Sequence, residues 1–277
     1  MKLSKKMIAL TAAALAVCML LSSCTNQKED TGVANEKNMK ISTAADLEGK
    51  AVAVQLRSAD DEYIVSNKLT DYPKRYSDMT KAVQDLIDKK VAVVVTDKYY
   101  AQKLTDGVEG VKTVKKSIGK VEYRFLLNQS DAKLAEKINA QIAALKESED
   151  YQAMIESELV KGVSYLVAKD DAKELKKNFT FVTEPGFLPF IYEKDGSVNG
   201  LFASIADAVA YGCGGELTIK TVDAAFDIDN AADTVKGQKN SFSVVSYEAA
   251  EDDESFITTD SFYTSELVMI IRAEENK

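Results

Sequence analysis

Two short apolar runs constrain the fold most. Residues 51–56 read Ala-Val-Ala-Val-Gln-Leu and residues 91–95 read Val-Ala-Val-Val-Val. Neither alternates with polar residues, so each is expected to be covered on both faces, as the strands of a parallel sheet are. Between them, residues 79–87 place Val83, Leu86 and Ile87 on one helical face. Strand, helix and strand in this order predict an α/β architecture with a crossover connection. The same rhythm extends through helices at 62–69, 131–148 and 151–159 and strands at 74–76 and 121–127. It restarts at 179 with strands at 179–183, 217–222, 242–245 and 267–272, helices at 202–211 and 230–236, and a hairpin turn at Asp195-Gly196. Two similar lobes are implied, and a cleft between such lobes is where small ligands bind.

The first residues form three zones: Lys2, Lys5 and Lys6, an apolar run over 7–21, and Ser22-Ser23 before Cys24. This is the layout of a secretory signal peptide, and the run is too short and too abruptly polar at its end for a retained spanning helix. Residues 21–24, Leu-Ser-Ser-Cys, resemble the lipobox of bacterial lipoproteins, which implies cleavage after 23 and lipid on Cys24. A plain signal peptide with an incidental cysteine is the alternative. Residues 24–44 are polar, with almost nothing to bury, and are read as a flexible tether.

Composition removes several function classes. The chain has no histidine, which excludes His-based triads and His zinc sites. No phosphate-binding Gly-rich loop, nucleophile elbow or Cys pair at metal spacing is present, so no cofactor or metal is expected. A formal charge of −9 argues against a nucleic-acid partner. Once Cys18 leaves with the signal and Cys24 is lipidated, Cys213 has no disulfide partner. The expected product is a non-enzymatic, monomeric, membrane-anchored protein outside the cytoplasm. A carboxylate-based hydrolase built on Glu248, Asp252 and Asp253 is the enzymatic alternative.

Several stretches carry a resemblance to a family. Residues 46–56, the helix-strand-Asp unit of 81–97, and the helices at 134–145 and 151–156 are similar to the second lobe and C-terminal helices of the family 3 solute-binding proteins of ABC transporters. Residues 179–190, 195–202 and 258–263 resemble that family's opening strand, its hairpin and the segment before its crossover. The order is inverted, which implies a circular permutant of a two-lobed type II periplasmic-binding-protein-like fold. The second lobe would be 45–125 and the first lobe 126–277, made of helices 131–159, a connection over 161–178, and strands and helices over 179–272. A tandem of two partial domains is the alternative. The resemblance implies capture of a small polar solute, an amino acid or related amine, and delivery to an ABC permease; the alternative is a ligand-free surface adaptor or sensory relative.

The resemblance also implies site residues. Asp97 stands where the family's carboxylate accepts a ligand ammonium, or it caps the following helix. Phe187 stands where an aromatic ring stacks on the ligand, or it belongs to the core. Glu184 and Ser246 match ligand-contacting positions, against a solvated loop acid and a turn serine, and Phe226 is a candidate second ring. Residues 250–253, Ala-Glu-Asp-Asp, replace the arginine motif that clamps a ligand carboxylate, and Arg57-Ser58-Ala59 replace a Gly-Thr-Thr turn. Arg57, beside Ser58, is expected either to supply the missing guanidinium or to pair with Asp60 or Asp61 on the surface.

Overall fold

The computed structural model describes residues 40–170, 174–222, 233–246 and 254–273. The signal segment, Cys24, residues 24–39 of the tether, Phe226, the first three residues (230–232) of the helix expected at 230–236, and the acids at 248 and 251–253 lie outside the described residues. Among the described residues, no helix is long and apolar enough to cross a membrane.

After a short 3-10 turn at Ala44–Leu47 the chain forms β1 (Ala51–Gln55), α1 (Ala59–Ser66), β2 (Tyr72–Tyr76), α2 (Met79–Ile87), β3 (Val93–Asp97) and α3 (Lys98–Thr105). The strands β1 and β3 are buried at every position, as their uninterrupted apolar sequence requires. They run parallel to each other and to β2. Helix α1 begins at Ala59, ahead of the expected 62, because the Ser58 side chain accepts the Asp61 amide at 3.1 Å and caps the first turn. Helix α3 is the one that Asp97 caps in its alternative reading; its side chain accepts the amides of Tyr99 and Tyr100.

The strand β4 (Val111–Asn128) is far longer than the expected 121–127. It leads through α4 (Ala132–Lys146), α5 (Glu149–Ile155) and one π-helical stretch at Glu156–Lys161 to β5 (Lys177–Thr183). A small antiparallel sheet follows, of β6 (Gly186–Phe187), β7 (Ile191–Lys194) and β8 (Ser197–Asn199), in which β7 and β8 form the hairpin expected at Asp195-Gly196. Then come α6 (Leu201–Gly212), β9 (Gly215–Thr221), β10 (Ser241–Val245), β11 (Phe256–Thr258) and β12 (Tyr263–Arg272).

The main sheet runs β2-β1-β3-β12-β4-β10-β5-β9, with β11 also on β4. Its two halves are each parallel at the outside and meet on two antiparallel strands. Tyr263 to Ser265 of β12 face Tyr123 to Val121 of β4, while Met269 to Arg272 face Val114 to Val111. Farther along β4, residues 124–127 pair with β10 and 126–128 with β11. Thus β4 and β12 each pass from one half to the other. This mixed α/β sheet with two antiparallel crossovers is the fold class expected from the sequence.

One apolar core runs through both halves, joining Val52, Val54, Val93 and Val95 to Phe125, Phe181 and Phe242. A second cluster fills the far side of the β1–β3 half, where Val83 and Leu86 of α2 meet Val268 and Ile270. Full burial of each such side chain contributes about 1.5–3 kcal/mol. Arg272 ends β12 with its guanidinium donating to the carbonyls of Leu86, in the last turn of α2, and Val91, just before β3, both at 2.9 Å. That places Arg272 at the amino ends of β1 and β3, the same end of the sheet as Ala51.

Candidate functional site

The carboxyl ends of β1, β3, β5 and β10 point toward the region where the halves meet, the position at which open α/β sheets hold ligands. The chain reverses sharply after β1 through Arg57, whose φ of 57° lies in the left-handed region. This turn aims Arg57 across the junction, where it pairs with Glu184 at 3.3 Å. Two residues expected at a ligand therefore bind each other, and Arg57 pairs with neither Asp60 nor Asp61. Asp61 is held instead by Arg75, at 2.6 Å from the guanidinium Nε.

Asp97 is completely buried. One carboxylate oxygen accepts the amides of Tyr99 and Tyr100 at 2.7 and 3.2 Å. The other accepts the hydroxyls of Tyr263 and Ser265, both at 2.8 Å. Four donors occupy the four lone-pair positions of the group. The geometry is therefore the helix-capping alternative, extended into a tie between β3 and β12. Burial still raises the Asp97 pKa, with the tyrosine, serine and amide hydrogen bonds opposing the shift.

The neighbouring acid is different. Asp60, in the first turn of α1, is 2% exposed, and its Oδ1 has no hydrogen-bond partner among the described residues. Burial, reinforced by the charge of Asp97, pushes its pKa up to about 8; a hydrogen bond from Thr96 opposes the shift and the charge of Asp61 adds to it. The Tyr123 hydroxyl, buried on β4 within the electrostatic reach of Asp60 and Asp97, also lacks a partner among the described residues, and burial raises its pKa well above the ordinary value. On the other half, the Thr183 hydroxyl at the carboxyl end of β5 is buried and unpaired as well. Buried polar groups are paired in the great majority of cases; among the described residues Asp61 Oδ1, Thr113 Oγ1 and Glu158 Oε2 are buried without a partner as well.

Phe187 is 5% exposed and stacks on Phe190 at 5.1 Å, with Tyr123 and Phe202 at 6.4 Å. It is part of an aromatic wall behind Tyr123, which is the core alternative. Ser58 is the N-cap of α1 and is also buried. Ser246 lies apart from Asp97's partners, in a surface groove of about 340 Å³ whose walls include Glu62, Tyr63, Asn67, Lys120 and Glu122. Among the described residues, no group of three acidic or Cys side chains could hold a metal ion.

Sequence reasoning missed Asp60, Tyr123 and Thr183. The available signal was the pair Asp60-Asp61 directly after a buried strand and a left-handed turn, where a helix start faces the strand ends.

No family model matches the chain, and no curated protein matches it. Several solved structures are similar in chain path. One is the phosphate-binding protein of a phosphate ABC transporter from Streptococcus pneumoniae, at 12% identity and TM-score 0.45, covering 82% of this chain and 90% of that one. Another is the GluR0 ligand-binding core in complex with L-glutamate, at 7% identity and TM-score 0.40, covering 83% and 86%. A third is full-length CbnR complexed with its target DNA, at 11% identity and TM-score 0.41; the alignment takes in 82% of this chain but spans only 64% of that regulator's length.

Proposed function

We propose that the protein is an extracytoplasmic solute-binding lipoprotein that closes two α/β halves on a small polar solute and passes it to an ABC permease. The observation that carries this reading is the buried, unpaired carboxylate oxygen of Asp60 at the start of α1, with unpaired buried hydroxyls on Tyr123 of β4 and Thr183 at the carboxyl end of β5. A solute bound there would complete their hydrogen bonds, and the two crossovers β4 and β12 form a natural hinge for its entry. No step of this role requires bond-making chemistry. The inverted order of the family-like segments supports descent by circular permutation, since Arg272 and Ala51 lie at the same end of the sheet with β3 between them. The lipobox-like residues 21–24 support attachment through Cys24.

A thermal-shift screen against amino acids, amines, short peptides and oxyanions tests the reading. A solute at about 100 times its Kd stabilises the folded state by about 2.7 kcal/mol. Absence of any shift across the classes favours the second reading, a ligand-free surface adaptor. The Arg57–Glu184 pair favours that alternative, because it joins the two halves without a ligand. Anchoring is tested separately: Cys24→Ser should move the protein from washed membranes into the aqueous fraction, and its retention there would refute the lipid attachment.

A further inference from the structure

We infer that Tyr63 is a hinge clamp: its ring seats on Gly119 and its hydroxyl holds the Ile118 carbonyl, fastening α1 to the place where β4 changes register against β12, and this contact sets the angle between the two halves. The inference stands on the architecture and goes beyond the solute-binding reading.

The halves are joined by a narrow ribbon. Tyr263, Thr264, Ser265 and Glu266 of β12 pair with Tyr123, Glu122, Val121 and Lys120 of β4, and among the described residues neither stretch pairs with a third strand. Two strands alone twist and bend more readily than a wide sheet. The ribbon ends where it enters the β1–β3 half, at Leu267, which faces Asp97 of β3 on one side and Gly119 on the other. Immediately beyond, Met269 faces Val114, so the single residue Val268 stands opposite residues 115–118 of β4. Such a bulge breaks the ladder and bends the strand. A bend at the joint between a ribbon and a wider sheet fixes the direction in which the ribbon leaves.

The bulge is tied off from inside and from outside. The Ser117 hydroxyl donates to the Gly119 carbonyl at 2.7 Å and accepts the Gly119 amide at 3.3 Å. From α1, the Tyr63 hydroxyl donates to the Ile118 carbonyl at 3.1 Å. The ring occupies the space over Gly119: a methyl group there would lie 2.1 Å from Tyr63 Cζ and 2.2 Å from its hydroxyl oxygen, far inside van der Waals contact. Gly119 does not take a left-handed φ, so the ring and not the backbone requires a glycine at this position.

Beside the clamp lies the groove of about 340 Å³, lined by Glu62, Tyr63 and Asn67 of α1, Lys120 and Glu122 of β4, and Ser246 at the end of β10. Residues of both halves line it, so its width follows the angle at the ribbon. The turn that leads into α1 carries Arg57, which reaches Glu184 of the other half. One short helix therefore links the clamp at the ribbon to the ion pair at the junction.

The test is hydrogen–deuterium exchange read by mass spectrometry, with small-angle scattering, on the purified protein and four variants. Tyr63→Phe keeps the ring and loses only the bond to Ile118; it should speed exchange of the amides over 117–123 by about two- to tenfold, the effect of one hydrogen bond. Gly119→Ala pushes the ring from its seat without altering Tyr63. It and Tyr63→Ala should speed that exchange further and increase the radius of gyration, while amides of β1 and β5 exchange as in the parent. In the double variant the added methyl meets no ring, so its exchange should match that of Tyr63→Ala alone. Ribbon exchange and dimensions that stay at the parent's values in Tyr63→Phe and Gly119→Ala overturn the clamp. Acceleration spread evenly over β1 and β5 also overturns it, because Tyr63 would then serve the fold as a whole, and so does a double variant in which the two effects add. If Gly119→Ala fails to fold, Tyr63→Phe decides by the same criteria. None of these readouts needs a solute, so failure of the clamp and failure of the solute-binding reading are separate results.

Discussion

Asp60 sets the residue scale, because its environment makes a measurable claim on stability. Its pKa is pushed from an ordinary 3.8 to about 8, first by burial, then by Asp97 on β3, with Thr96 opposing and Asp61 on its own helix adding. Tyr123 on β4 faces the same carboxyl group. Between these two values the folded protein holds a proton that the unfolded chain has released. Stability should therefore fall as pH rises from about 4 to about 8 and level off above that, by at most about 1.4 kcal/mol per pH unit from this group. In Asp60→Asn that component disappears. Urea titrations at several pH values should show the parent losing stability relative to the variant as pH rises across this window. Parallel profiles for the two proteins would show that Asp60 ionises freely in the fold.

At the scale of elements, the apolar runs were readable because burial on both faces leaves an unmistakable pattern; 51–56 and 91–95 became β1 and β3 with nearly the expected limits. Helix α4 was equally clear from Leu134, Ile138 and Ile142, which share one buried face. The crossover β4 was not, since its first part, from Val111 to Lys120, is rich in lysine and only half buried. Such a stretch is held by pairing with β12, a partner more than a hundred residues away in sequence. Site residues failed for a related reason: Asp60 and Asp97 have the same composition, and only the tertiary count of donors separates a saturated cap from an orphan. The connection after α5 teaches the same lesson. Glu158 on the π-helical stretch is buried, accepts the Ser204 hydroxyl at 2.5 Å and the Tyr165 amide at 2.8 Å, and so pins the segment 162–170 to α6. Burial raises its pKa while those hydrogen bonds oppose the rise. Glu158→Ala leaves both donors unpaired and should cost about 1–3 kcal/mol. Limited proteolysis should then cut near Val163 and Leu166, which are exposed in the parent, faster than elsewhere. Unchanged cleavage and Tm would show that α5 holds the connection without this carboxylate.

For the whole molecule, the question is what holds the two halves together. The continuous core through Phe125 and Val93 and the pairing of β4 with β12 give them a common spine. Between the halves, the Arg57–Glu184 pair joins the first turn after β1 to the loop after β5. Arg57 is 55% exposed at its side chain, so the pair contributes only about 0–1 kcal/mol and is screened by salt. Its importance lies in position. Even a few tenths of a kcal/mol shifts an equilibrium between closed and open forms whose energies are nearly matched, while leaving global stability almost unchanged. Arg57→Ala and Glu184→Gln should therefore leave the denaturant midpoint within about 0.5 kcal/mol of the parent. Each should increase the radius of gyration measured by small-angle scattering at low salt, and added salt should make the parent resemble the variants. On the solute-binding reading, a solute that closes the halves should restore the parent dimensions in both variants. If Arg57→Ala instead abolishes binding while the fold and dimensions stay unchanged, the guanidinium contacts the solute directly, and the carboxylate recognition implied by the family resemblance would be reinstated at the mouth of the site.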